Sequence, residues 1–324
     1  MFYKPLTRVI IIPMIDWKEI KLSDRDAINA RICASGCHGA DYSFANLYMW
    51  RYAYKPQIYF TENRLLVGMP EWNLYAYPKG GGDVRPSIEL LLEEAHSRGE
   101  KLVLRGLTDK TLEEFLPLYG NLFEISEDRD NADYIYMSAK LTDLPGRHLA
   151  SKRNHIHKFE RNGDWEFRRI TTGAELHPSG STSEGGEPEC TSLSQAREFV
   201  AEFYKEKDDP ELADEAIAIG EMFDNFDELG FIGGLLFRKG EPVAFTAGTC
   251  LDNEVFDVHF EKALPGVEGA YTMVNREFAR LVTAVYPEIE AFNREEDMGL
   301  EGLRKAKESY HPDILLMKYF ATEK

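Results

Sequence analysis

One order of elements runs through this chain twice, and no other feature limits its fold so tightly. Read for periodicity and turn chemistry, the first half gives β-α-α-β-β-β-α-β-α-β-β. After a connecting helix, the second half gives β-α-α-β-β-β-α-β-α-β. The halves share almost no sequence, so their agreement lies in the order alone and reads as an internal duplication. At 324 residues the chain has length for two domains with sizeable cores, expected at 1–140 and 141–324, the second including the connecting helix. In the first half, strands are expected at Gln57–Phe60, Arg64–Gly68 and Leu74–Tyr77, with Glu62-Asn63 turning the first hairpin. In the second, FIGGLLFRKGEPVAFTAGTCLDNEVFDVHF (231–260) reads as a meander turned at Lys239-Gly240 and at Asp252-Asn253.

The formal charge of −18 rules against a chain that coats DNA or anionic lipid over its whole surface. A polyanion would need a local basic patch, and residues 147–161 supply one: Arg147, Lys152, Arg153, Lys158 and Arg161 against Glu160 alone. On a continuous helix from about Leu141 to Arg161, Leu149, Ile156 and Phe159 form the buried stripe, and Lys152 falls inside it. Lys152 either snorkels from that face or meets a phosphate or carboxylate in a cleft, with Arg153 placed for a bidentate contact. Cys33, Cys37 and His38 lie close in sequence, but no second Cys/His pair has ligand spacing, so no metal is expected and the four cysteines read as reduced thiols. The apolar run Val9–Ile15 is too short to span a bilayer and reads as a buried first strand. With no integral membrane segment the chain is expected to be cytoplasmic, and nothing in the pattern fixes an oligomeric state. Residues 177–191, rich in Gly, Ser, Pro and Glu, read as a mobile loop.

Chemistry concentrates in IEAFNREEDMGLEGLRKAKESYHP (289–312). A short strand, Ile289–Phe292, enters the charged turn Asn293-Arg294-Glu295-Glu296-Asp297, and a helix follows with Leu300, Leu303, Ala306 and Tyr310 on one stripe. Carboxylates at a strand end beside a helix start serve either chemistry or the helix dipole, and the spacing leaves both open.

The element order resembles the GNAT acyltransferase fold, which implies an α/β (α+β) chain of two tandem GNAT-like domains, each a mixed, mostly antiparallel sheet flanked by helices. Under that resemblance Gly266, Gly269 and Ala270 occupy the place of the pyrophosphate loop, and Gly80-Gly81-Gly82 the same place in the first half. RHLASKRNHIHKFERN (147–162) and FNREEDMGLEGLRKAKESYHP (292–312) resemble signatures of the bacterial family related to the C-terminal domain of phosphatidylglycerol lysyltransferase. That resemblance implies transfer of an acyl or aminoacyl group from a phosphate-containing donor to an amine or hydroxyl. Acyl-CoA or aminoacyl-tRNA would enter as co-substrate, with no tightly bound cofactor. The transfer needs a proton acceptor, an oxyanion donor and a hold on the anionic tail. Glu295 and Asp297 are expected as base or as the dock for a substrate ammonium, Tyr310 as acid, and Arg304 and Lys305 as phosphate holders. A backbone N–H within Val255–Phe260 would meet the oxyanion, and His259 lies on that strand. The alternative from another class is a non-catalytic module that binds RNA or a nucleotide through the basic helix.

Overall fold

The computed structural model describes residues 15–173, 190–205 and 212–324. The expected first strand lies outside them apart from Ile15. So does the loop at 177–191 apart from its last two residues, which open a short strand, Cys190–Ser192. The rest forms two mixed sheets flanked by helices.

Alternating apolar runs broken by tight turns build a meander in each sheet. In the first, Gln57–Phe60, Arg64–Met69 and Leu74–Ala76 pair antiparallel in sequence, and Val103–Leu107 then joins Leu74–Ala76 in parallel. In the second, Ile232–Arg238, Glu241–Cys250 and Val255–Ala263 pair antiparallel, and Ala291–Asn293 joins Val255–Ala263 in parallel. A meander followed by one parallel strand is the GNAT-like plan, present twice.

The sheets exchange strands. Asp133–Met137 crosses into the second sheet, between Ala291–Asn293 and Ile314–Leu316. Tyr319–Glu323, at the end of the chain, returns to the first, between Val103–Leu107 and Phe123–Glu127. Ile314–Leu316 and Tyr319–Glu323, separated only by Met317 and Lys318, are thus strands of different sheets. Lys318 sits at the crossing, 2% exposed, with its ammonium 2.5 Å from Asp41 and 2.6 Å from Asp133. Burial opposes that charge, but the two carboxylates outweigh it, so Lys318 stays protonated and pins the crossing.

One core spans both halves. Ile28, Phe44 and Leu65 of the first pack with Phe199, Met222, Phe245 and Phe260 of the second. Each such side chain contributes about 1.5–3 kcal/mol on burial, which joins the halves along a common seam. The helix Phe44–Met49 belongs to this seam; Ser43 caps it, accepting the Asn46 N–H at 3.2 Å.

Two local expectations give way. The connecting helix is broken into Ser138–Asp143 and Ala150–Arg161, because Pro145 removes a donor and pushes Leu144 out of the right-handed helical region, here to φ 49°. Of the stripe expected on the helix Glu301–Glu308, only Tyr310, just past its end, is buried; Leu300, Leu303 and Ala306 are exposed, and Lys307 is 8% exposed instead. The Lys307 ammonium is drawn inward by the carbonyls of Arg294, at 2.5 Å, and Glu296. Two charge-assisted bonds hold the turn from below, and the leucines are left facing out.

Candidate active site

Pairing between Val255–Ala263 and Ala291–Asn293 stops at Asp257 and Asn293, although the longer strand runs on to Ala263. Just past that point a β-bulge shifts its register against Glu241–Cys250: Ala247 faces Phe260, but Thr249 faces Asp257. The bulge sends successive side chains to different neighbours. Asp257 and His259 meet the seam between halves, whereas Glu261 meets the helix Ala270–Val285 through Asn275, at 2.9 Å. The parted strands thus separate two polar compartments, with the turn 293–297 at their junction.

On the seam side, Glu295 Oε1 accepts from Asn46 Nδ2 at 3.0 Å and lies 3.1 Å from His259 Nδ1. The other ring nitrogen of His259 is 2.9 Å from Thr249 Oγ1, and the ring is 1% exposed. Burial works against the Glu295 charge, but the His259 and Asn46 bonds outweigh it and hold its carboxyl below the usual value. Glu295 also carries φ 56°, a left-handed conformation that non-glycine residues rarely adopt, so the surrounding contacts impose its placement. Asp257 beside it is fully buried; burial and the charges of Glu295 and Asp133 push its carboxyl up.

Glu296 differs from both neighbours. Its side chain has no hydrogen-bond or ion-pair partner among the described residues. Burial, reinforced by Glu295, Asp41 and Asp133 and only partly offset by Lys318, pushes its carboxyl up to about 7. Asp297 is enclosed: Arg304 contacts both of its oxygens at 2.7 and 2.8 Å, Arg129 donates at 3.1 Å, and the Tyr134 hydroxyl donates at 2.6 Å. Burial opposes the Asp297 charge, yet the bonds from Arg304, Tyr134 and the Gly299 amide hold it well below the usual carboxylate range.

On the helix side, Arg294 donates to Glu261 at 2.9 Å and lies over the ring of Tyr310. Lys152 also lies over that ring, 3.9 Å from its centre. Burial and the adjacent Arg294 push the Lys152 ammonium down to about 8. Burial pushes Tyr310 up to about 12, so its hydroxyl stays a proton donor, within reach of Thr272. Arg294 Nη1 and Asn275 Oδ1 are buried with no partner among the described residues. An unpaired donor and an unpaired acceptor in one compartment suit a polar ligand group.

The structure thus brings His259 to Glu295, and Lys152 to Tyr310. The other expected residues stand elsewhere. Arg153 donates to the carbonyls of Leu144 and Gly146 and closes the break between the two helices. Arg304 is committed to Asp297 and Asp130. Lys305 is exposed and pairs with Glu301 one turn away. Gly266 and Gly269 precede the helix Ala270–Val285 with φ 79° and 84°. A Cβ on Gly269 would meet His155 O at 2.4 Å, so that glycine lets the basic helix pack on the loop, and Lys158 pairs with Glu268 across the contact. Glu296, Asn46, Asp257, Arg294 and Glu261 were not singled out as site residues. Asp257 had a legible signal: it shares a strand face with His259 at the two-residue period.

A duplicated GNAT-like scaffold whose parallel strands part over a cluster of carboxylates defines a tandem domain pair of that fold. The chain belongs to the family of phosphatidylglycerol lysyltransferase C-terminal domains, whose model matches residues 35–322. It is 33% identical to a conserved protein of unknown function from Bacteroides thetaiotaomicron, over 96% of this chain and 100% of that one, with a TM-score of 0.82. It shares its fold with L-PGS from Bacillus licheniformis, at 16% identity over 95% of this chain and 93% of that one, TM-score 0.59. No curated protein matches it. Among the described residues no helix is long and apolar enough to cross a membrane.

Proposed function

We propose that the chain moves an aminoacyl or acyl group from a phosphate-containing donor to an amine or hydroxyl, with the reacting carbonyl in the opening between Val255–Ala263 and Ala291–Asn293. The observation that carries this is Glu296, a half-buried carboxyl at the junction of the two compartments with no cation partner among the described residues, which burial and the neighbouring carboxylates push up to about 7. A base poised near the working pH accepts the proton that the attacking amine or hydroxyl must lose. The donor's polar end takes the helix side, where Lys152 and Arg294 supply positive charge and Tyr310 a hydroxyl. The acceptor takes the seam.

The basic helix favours aminoacyl-tRNA over acyl-CoA as donor. His155, His157 and Arg161 of the helix and Arg147 and His148 just before it are exposed, while Lys152 points inward. A phosphate backbone lying along that face would place an acceptor end at the opening. Glu268, on the loop where CoA phosphates would sit, adds negative charge instead. The same face supports the second reading, a module that binds RNA without chemistry.

The test pairs binding with transfer. Purified protein is titrated with charged tRNA, uncharged tRNA and acyl-CoA at low and moderate salt, then supplied with amine and hydroxyl acceptors. The proposal expects saturable stabilisation by charged tRNA with a steep salt dependence, weakened by Lys152→Ala, and turnover that rises with pH through about 7 and is lost in Glu296→Gln. Stabilisation by acyl-CoA alone moves the donor to CoA. Tight RNA binding with no transfer to any acceptor overturns the enzyme in favour of the binding module.

A further inference from the structure

Among the described residues, one group of His and carboxylate side chains brings its ligand atoms within 4.8 Å of one another: Asp257, His259 and Glu295. His259 Nδ1 is 3.1 Å from Glu295 Oε1 and 3.6 Å from Asp257 Oδ2. Three ligands at about 2.0–2.2 Å from a tetrahedral ion stand about 3.3–3.6 Å from one another, so small side-chain shifts would bring these three atoms to a coordination shell.

The independent observation is Asp257 itself. It is 0% exposed, and neither of its carboxylate oxygens has a hydrogen-bond partner among the described residues. A carboxylate so enclosed calls for a cation or a donor. Lys318, the buried lysine of the seam, is occupied by Asp41 and Asp133. The surrounding bonds are those of an outer shell. Thr249 Oγ1 lies 2.9 Å from His259 Nε2 and would accept its proton once a bound ion took the Nδ1 lone pair in place of the Nδ1–H bond to Glu295. Asn46 steadies Glu295 from the other half of the molecule at 3.0 Å.

We propose that Asp257, His259 and Glu295 bind one divalent transition-metal ion at the seam between the two halves. One imidazole and two carboxylates suit an ion of the Zn²⁺ type. Three protein ligands leave a fourth position open. The inference does not depend on the transfer reaction, since metal binding is measured directly.

The experiment strips the full chain with a chelator and titrates it with Zn²⁺ by calorimetry, and with Co²⁺ by visible absorption. The expected result is one ion per chain, a raised melting temperature, and an intense Co²⁺ band of low coordination number. Asp257→Asn, which keeps the buried shape, and Glu295→Gln should each weaken binding by roughly tenfold or more. His38→Ala, beside Cys33 and Cys37, is the control and should bind as before. No saturable binding overturns the proposal. So does binding that survives Asp257→Asn, or that disappears in His38→Ala, since the ion would then sit elsewhere.

Discussion

Glu296 and Asp297 are neighbours in one turn, and the structure sets their carboxyls to opposite tasks. Asp297 is buried against two arginines and a tyrosine hydroxyl, which keep it ionised. Glu296 is half-buried, has no such partner among the described residues, and is pushed up to about 7. The difference teaches that chemistry in this turn is assigned by what the rest of the fold brings to each position, not by residue type. Arg129 comes from before the strand that crosses sheets, and Arg304 from the following helix. Together they convert one carboxylate into a brace that keeps the other two in place.

The largest effect that sharpens the comparison is on turnover. Glu296→Gln should lower transfer by about 10²- to 10⁴-fold, the usual worth of a positioned base, while the protein stays folded. Its stability should move the other way. A carboxyl raised from 4.5 to about 7 on folding binds more protons folded than unfolded between those values. Its contribution is therefore fully present below pH 4.5 and lost as pH rises through 7. Denaturant titrations at pH 4 and pH 8 should show Glu296→Gln more stable than the parent at pH 8, with the gain absent at pH 4.

Asp297→Asn should reverse that pattern, because it leaves Arg129 and Arg304 without their shared anion. We expect about 3 kcal/mol of lost stability near neutral pH, the lower end for a broken buried pair since both arginines are partly exposed. Unfolding at pH 7 checks this, and a loss under 0.5 kcal/mol would contradict the bracing role. Gly269→Ala tests the contact between the basic helix and the loop, at about 1–3 kcal/mol, through its left-handed φ and the clash with His155 O. The smallest effect belongs to Leu300→Ser and Leu303→Ser. Both side chains face outward, so each should change stability by no more than about 0.5 kcal/mol.

The sequence carried much of the fold, because the meanders and their turns are local patterns. Gln57–Phe60 lies where alternation places it, and the second meander turns at Lys239-Gly240 as its turn residues require. The exchange of Asp133–Met137 and Tyr319–Glu323 was not legible, since a strand's pattern states which face is buried and not which sheet receives it. The turn at 293–297 stood out by charge, and His259 by its strand. Their partners did not: Asn46 lies in an aromatic run 249 positions from Glu295, and only the packing of the halves brings them together. Lys307 misled the helix stripe because hydropathy ranks a lysine as outward, whereas here two backbone carbonyls call it in.

The most direct test of the account is the titration of the Glu296 carboxyl itself, by ¹³C NMR on protein labelled at glutamate side chains and assigned by difference with Glu296→Gln. The account predicts one resonance, lost in the variant, with a midpoint near 7. A midpoint near the ordinary 4.5 would show that Glu296 has a partner after all, and the division of labour in the turn would fall.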